Sequence, residues 1–320
     1  MAFAQLAAEL SRTERLRVEQ IDVFTTTVFA GNPAAVVFGG CLLSGAEMQT
    51  IARETNLSET VFLLPPMCKE ATWRARIFTV RREIDFAGHP VIAAADAISR
   101  RFDPDAIPSV MVQQCGAGLV GIHISSDENG LSYAVRMPSP HHIMLTWSPA
   151  FAASLLGLAR GVVDGPVMAV ATGAPWALVE LANIADLDLL EPDFRAISSA
   201  SRAAGIAGVA VFAEAAPGTI RLRTFAPLER IFEDPVCGSC MSSIAAHLSK
   251  SKRIARSSGA ASTTITFLQG ADIGRPGRAD VMVRHTSDDV HPTLDLVGRC
   301  RLAMTGELRW PEPGGVPGHV

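Results

Sequence analysis

The sequence has a single tyrosine, no long run of basic residues and no stretch of 18 or more uninterrupted apolar residues. Each shortage excludes a class. Without a basic stripe and interleaved aromatics there is neither a phosphate-tracking surface nor a base-stacking platform, and 28 basic against 32 acidic residues give a net charge of −4, so nucleic acid is not an expected partner. The apolar stretches are broken by Gly, Pro or charge before they reach membrane-spanning length, so no membrane association is expected. Met1 to Arg17 lacks a basic start, an apolar run and a small-residue cleavage site, and reads as a short helical extension rather than a secretory signal. Cysteine is sparse and scattered (Cys41, Cys68, Cys115, Cys237, Cys240, Cys300), which reads as reduced thiols in a cytoplasmic protein rather than a disulfide framework. No G-x-G-x-x-G or phosphate loop is present and no second ligand pair completes a zinc site, so neither a nucleotide cofactor nor a metal is expected.

What is present is apolar. Residues of that kind make up 48% of the chain and charged ones only 19%, the profile of a packed globular protein. At 320 residues the chain exceeds one ordinary core, so two domains are expected. The sequence also repeats itself. Phe29-Ala-Gly-Asn-Pro-Ala-Ala-Val-Val37 is echoed by Ala171-Thr-Gly-Ala-Pro-Trp-Ala-Leu-Val179, Arg76-Ile-Phe-Thr-Val by Arg223-Thr-Phe-Ala-Pro, Gly88 by Gly238, and Val112-Gln-Gln-Cys by Phe267-Leu-Gln-Gly. The landmarks keep their order while their offset grows slowly, which points to two homologous halves.

Within the first half, alternation and apolar runs between turn residues predict strands at Leu16 to Phe24, Ala34 to Phe38, Val61 to Leu64 and Arg74 to Thr79. One helix stands out per half, Val91 to Ser99 and Cys240 to Leu248. Both are small and apolar all round, so each is expected inside its domain. Pro90 suits a first helical turn, and Ser239 is expected to cap the second helix. A helix start carries unpaired N–H groups and partial positive charge, and a glycine there admits a ligand close to the backbone. Two such starts converging on one cleft would hold a carboxylate from both sides.

The stretches Ile21-Asp-Val-Phe with Phe29 to Val37, Asn56-Leu-Ser-Glu-Thr-Val-Phe62, Phe86-Ala-Gly-His-Pro90, Glu233-Asp-Pro-Val-Cys-Gly-Ser239 and Gln269-Gly-Ala-Asp-Ile-Gly-Arg-Pro276 resemble the PhzF-like branch of the diaminopimelate-epimerase superfamily, from about residue 19 to 308. The resemblance implies an α+β fold of two pseudo-symmetric domains, each a curved, barrel-like β-sheet around a central buried helix. The expected division is an N-terminal extension at 1–18, half-domains at 19–140 and 141–308 with the last strand returning to the first half, and a loose tail at 309–320. It further implies a cofactor-independent isomerase, a homodimer, acting by proton transfer next to a carboxylate on a small amino- or hydroxy-acid-like substrate. By position, Glu59 is the general acid/base, with His89, Asp234 and Ser239 around it. The backbone of Gly88, His89, Gly238 and Ser239, together with Cys237, binds the substrate. The two cysteines of the superfamily's amino-acid epimerases fall at Ala87 and Cys237 here, which argues against a two-thiol racemisation.

Bland readings stand beside these. Glu59 at a strand entrance would ordinarily be a solvated charge, His89 a packing or capping histidine, and Asp234 before a proline a turn former. Cys237-Gly-Ser-Cys240 has Cys-x-x-Cys spacing, so a thiol redox protein is a second function class. A non-catalytic protein that keeps the fold and binds small carboxylates is a third. Asn32, Met137, Trp176 and Arg230 are candidates for the rim of the cleft.

Overall fold

The structure is a computed structural model that describes residues 2–11, 15–251, 253, 262–284 and 292–309. The tail 310–320, read from sequence as loose, lies outside the described residues. The first eight strands are β1 (Leu16–Val23), β2 (Asn32–Phe38), β3 (Glu59–Leu64), β4 (Trp73–Thr79), β5 (Glu83–Ile84), β6 (Val110–Cys115), β7 (Gly118–Asp127) and β8 (Gly130–Arg136). Ten follow: β9 (His141–Ile143), β10 (Val163–Ala171), β11 (Pro175–Leu181), β12 (Gly208–Ala216), β13 (Thr219–Ala226), β14 (Ile231–Asp234), β15 (Ser262–Gln269), β16 (Gly277–Arg284), β17 (Thr293–Gly298) and β18 (Cys300–Leu308). The helices are α1 (Ala2–Leu10), α2 (Gly45–Thr55), α3 (Gly88–Ser99), α4 (Pro149–Leu155), α5 (Phe194–Ala204) and α6 (Gly238–Lys250).

The order of strand pairing repeats. β1 runs antiparallel to β2, β2 parallel to β3, β3 antiparallel to β4, β4 parallel to β6, and β6, β7 and β8 antiparallel in turn. The same alternation runs through β10, β11, β12, β13, β15, β16 and β17. In each series a short strand, β5 or β14, closes a hairpin on β4 or β13. The repeated sequence landmarks fall on these equivalent elements: β2 with β11, β4 with β13, α3 with α6, and β6 with β15. Pairing of β8 with β17 joins the series, β18 returns to β1, and β9 lies on β10, so the strands form one continuous curved sheet.

Parallel neighbours need crossovers, and helices supply them. α3 crosses between β4 and β6, and α6 between β13 and β15. All twelve residues of α3 are buried, with Val91, Ile92 and Ile98 in the same apolar core as Met241 and Ile244 of α6. Asp96, the one acidic residue on α3, accepts a bond from the Tyr133 hydroxyl at 3.1 Å. The sequence reading found one helix per half; the structure adds a second, α2 crossing between β2 and β3 and α5 between β11 and β12. Their cues were local. Ser44 and Glu47 form a capping box at the start of α2, and Asp193 accepts from the backbone N–H of Arg195 and Ala196 to cap α5. No described helix is long and apolar enough to cross a membrane.

Candidate active site

The starts of the two buried helices lie bare. The residues preceding them, Ala87 and Cys237, are in extended conformation, and neither helix receives a side-chain cap. This corrects the expectation for Ser239. It sits two residues past the cap position, where its hydroxyl accepts a hydrogen bond from Trp176 Nε1 at 3.0 Å instead of covering the helix end. No side chain caps the first-turn N–H groups of either helix. Glycine opens both helices because of one neighbour: a Cβ at Gly88 would stand 2.8 Å, and one at Gly238 2.5 Å, from Cδ2 of the buried Leu296 on β17. Two helix starts thus meet on a single side chain and line a single cavity of about 570 Å³.

Every site residue singled out from sequence faces that cavity: Glu59, Gly88, His89, Asp234, Cys237, Gly238 and Ser239. Glu59 opens β3, His89 is the second residue of α3, and Asp234 closes β14, so two strand ends and a helix start bring three titratable groups together. All three are nearly dry, at 9%, 6% and 8% exposure. His89 Nε2 and Glu59 Oε2 approach to 2.9 Å as an ion pair, without the alignment of a regular hydrogen bond. Burial works to lower the His89 pKa, but the carboxylates of Glu59 and Asp234 outweigh it and hold the imidazole above its ordinary value. Burial, reinforced by the charge of Glu59, pushes Asp234 up to about 6 while His89 pulls the other way. Asp234 and His89 are thus shifted upward together in one dry pocket, a setting suited to proton exchange.

The groups that hold this arrangement are less visible in sequence. Asn32, expected at the rim, is fully buried: its Nδ2 donates to Asp234 Oδ1 at 2.8 Å and to the carbonyl of Val236 at 2.9 Å, and its Oδ1 accepts from Ser58 at 3.3 Å. Gln269 donates to Thr224 Oγ1 and to the carbonyl of Asp234, both at 2.7 Å, and accepts from the Cys237 N–H at 3.0 Å. The last sequence echo includes Gln269 but could not show that its amide buttresses Asp234. Met137 is buried against Gly88, whereas Trp176 lines the cavity as expected. Arg230 lines a separate hollow with Arg53, Ser58 and Phe232. Two turns at the cavity wall escaped notice, those carrying Arg82 and Glu229, which form an ion pair at 3.3 Å.

The thiols favour no redox reading. Cys237 and Cys240 are both buried and unbridged, and burial pushes the Cys240 thiol well above its ordinary pKa, opposite to the lowered values of reactive pairs. Cys237 Sγ instead lies 3.4 Å from Ser239 Oγ at the cavity wall.

Comparison with known proteins gives a consistent answer. Residues 21–306 match the family model described as phenazine biosynthesis-like protein. Antisense-enhancing sequence 1 of Schizosaccharomyces pombe is 33% identical over 90% of this chain and 97% of its own length. Trans-2,3-dihydro-3-hydroxyanthranilate isomerase of Pseudomonas chlororaphis is 34% identical over 82% of this chain and 92% of its own. Among solved structures, the PhzF-family phenazine biosynthesis protein of Bacillus anthracis superposes with a TM-score of 0.81 at 23% identity, covering 92% of this chain and 99% of that one. A hydroxyproline epimerase of Agrobacterium vitis shares the fold, with a TM-score of 0.64 at 14% identity, covering 95% of each chain. The two-fold repeat, the paired buried helices and these likenesses agree: the chain belongs to the phenazine biosynthesis-like family, with a fold of the diaminopimelate-epimerase type, and is an isomerase of that family.

Proposed function

We propose that the protein moves a proton next to the carboxylate of a small amino- or hydroxy-acid-like molecule, with Glu59 as the general acid/base. The observation that carries this reading is the dry Glu59–His89 pair at 2.9 Å beside two uncapped helix starts in one cavity. The substrate carboxylate accepts hydrogen bonds from backbone N–H groups of Gly88, His89, Gly238 and Ser239. These donors stay fixed as negative charge builds during carbon deprotonation. Glu59 takes the proton from the adjacent carbon, and the released electron pair delocalises toward the carboxylate. His89, whose pKa its two carboxylate neighbours raise, pairs with the Glu59 carboxylate before the transfer, and Glu59 then returns the proton elsewhere on the substrate skeleton. Asp234, poised near pH 6, is the second group able to hold or return it. The cavity would then lie between half-domains at 19–140 and 141–308. Relatives named for isomerising a dihydro-hydroxyanthranilate support a substrate of this carboxylate class.

The test is deuterium exchange from solvent into a panel of small amino and hydroxy acids, with exchange read by NMR. Glu59→Gln keeps the shape and removes the basic oxygen, so exchange should fall by at least about 100-fold, the lower range for a general acid/base, with binding little changed. Near-normal exchange by Glu59→Gln would place the base elsewhere.

A further inference from the structure

The repeat gives each member of the reacting cluster a counterpart in the other half. Strand register matches Gly208 to Glu59 and Ile84 to Asp234, and the two helix starts match Ser239 to His89. Asn32, two residues before Ala34, has as its counterpart Ala174, two residues before Trp176. The cavity therefore has two related corners. One holds two carboxylates and an imidazole. In the other an isoleucine, an alanine and a glycine stand at the matching places, and the Trp176 indole fills the room beside Gly208 while its Nε1 donates to Ser239 Oγ at 3.0 Å.

The apolar corner is open to the cavity. Ile84 and Phe86 are half-buried and Ala174 is exposed, and all three line the cavity together with Trp176 and Ile206. Phe86 comes from the first half and meets the second: a Cβ on Gly173 would stand 3.9 Å from its Cδ1. The counterpart of Phe86 is Val236, which is fully buried and takes no part in the lining, so the ring belongs to one corner only. The charged groups of the lining outside the reacting cluster are engaged or turned aside. Arg82 and Glu229 pair with each other at 3.3 Å, and Asp85 Oδ1 lies against the turn at Gly116, where a Cβ would collide with it. At about 570 Å³ the cavity exceeds what a carboxylate and its neighbouring carbon need, and falls among sites of about 300–1,000 Å³ that enclose larger molecules.

We propose that this corner is a subsite for a hydrocarbon substituent, so that the substrate carries an aryl or branched alkyl arm in addition to the carboxylate at the helix starts. This rests on reading the helix starts as the carboxylate site, and it narrows the substrate class to acids with an apolar arm. Such an arm gains by leaving water for the faces of Ile84, Phe86 and Ala174, whereas a second charge would lose hydration and find no partner among them. With the carboxylate at one end and the arm at the other, the substrate enters in one orientation, although the frame around it is pseudo-symmetric.

The test is a ligand-observed NMR titration of the full chain with propionate, glutarate, 3-phenylpropionate and 3-phenylpropanol. 3-Phenylpropionate should bind about 10- to 100-fold tighter than propionate, the range for burying one aromatic group, while glutarate gains less than about threefold. Ile84→Asn and Phe86→Ala should each cut the phenyl advantage by at least about threefold and leave the affinity for propionate unchanged, which also reports an intact fold. Phe232→Ala, in the separate hollow that holds Arg53 and Arg230, should preserve it. The proposal is overturned if propionate or glutarate binds as tightly as 3-phenylpropionate, if the advantage survives both Ile84→Asn and Phe86→Ala, or if Phe232→Ala abolishes it. The carboxylate reading fails on a different comparison. 3-Phenylpropanol lacks the carboxylate and should bind at least about tenfold more weakly than the acid. Equal binding of the two would sink that reading and leave the apolar subsite standing, and binding by none of the four would overturn both.

Discussion

The two halves share a backbone plan and differ in what they place beside each helix start. In the first half Ala34 pairs across the strands with Glu59, and Glu59 reaches His89 at the start of α3. In the second half the equivalent of Ala34 is Trp176, which pairs with Gly208 and reaches Ser239 at the start of α6. Gly208 stands where Glu59 would be. A Cβ there would come within 2.9 Å of the Trp176 ring and 2.1 Å of the Phe225 carbonyl oxygen, so the indole occupies the room that a side chain would need. One exchange of small for large across a parallel strand pair replaces an acid beside a histidine by an indole beside a serine. The acid of the second half is instead Asp234, whose first-half equivalent is the apolar Ile84. Pseudo-symmetry therefore duplicates the uncapped helix starts while the titrating groups are distributed unevenly beside them.

The sharpest way to break this comparison is to substitute the equivalent positions His89 and Ser239. His89→Asn removes the imidazole paired with Glu59 and should lower the rate of carbon exchange by about 100-fold. Ser239→Ala should cost about tenfold, mainly in KM, since it removes a single hydroxyl. Steady-state kinetics on an exchanging substrate checks both. The reverse ranking would move the reacting centre to the second half.

The next effect is on stability. The Asp234 pKa near 6 lies above the ordinary 3.8, so the fold favours the neutral carboxyl. That contribution is complete below pH 3.8 and is lost as pH rises through 6. Asp234→Asn keeps an acceptor for Asn32 and never ionises. Its stability relative to the unsubstituted protein should therefore rise between pH 4 and 7, by on the order of 2 to 3 kcal/mol. Thermal unfolding followed by circular dichroism across that range checks it; parallel curves would show that Asp234 is not strained by ionisation.

The smallest effect compares the two opening glycines. Gly238→Ala and Gly88→Ala each push a methyl group onto Leu296, and the closer approach at Gly238 should make it the worse of the two, at about 1 to 2 kcal/mol. Denaturant unfolding of both variants, repeated with Leu296→Ala, checks the cause. Equal losses that persist without the leucine would mean that the helix starts do not share it.

The sequence by itself determined the repeat, and with it the strands, the two inner helices and the glycines that open them. These follow from local periodicity and from residue types that only certain backbone positions accept. It also carried the motifs around Glu59, His89 and Asp234, because each motif is contiguous. What lay outside local reach was decided by the tertiary structure. Asn32 and Gln269 hold Asp234 from 202 and 35 residues away, and Leu296 separates both helix starts from a strand late in the chain. Ser239 is turned from helix cap to indole acceptor by a tryptophan 63 residues earlier. The contact of Arg82 with Glu229 joins two turns 147 residues apart, which no local pattern could show. Pairings between distant segments leave no periodic trace, since each depends on which side chains the folded sheet brings face to face.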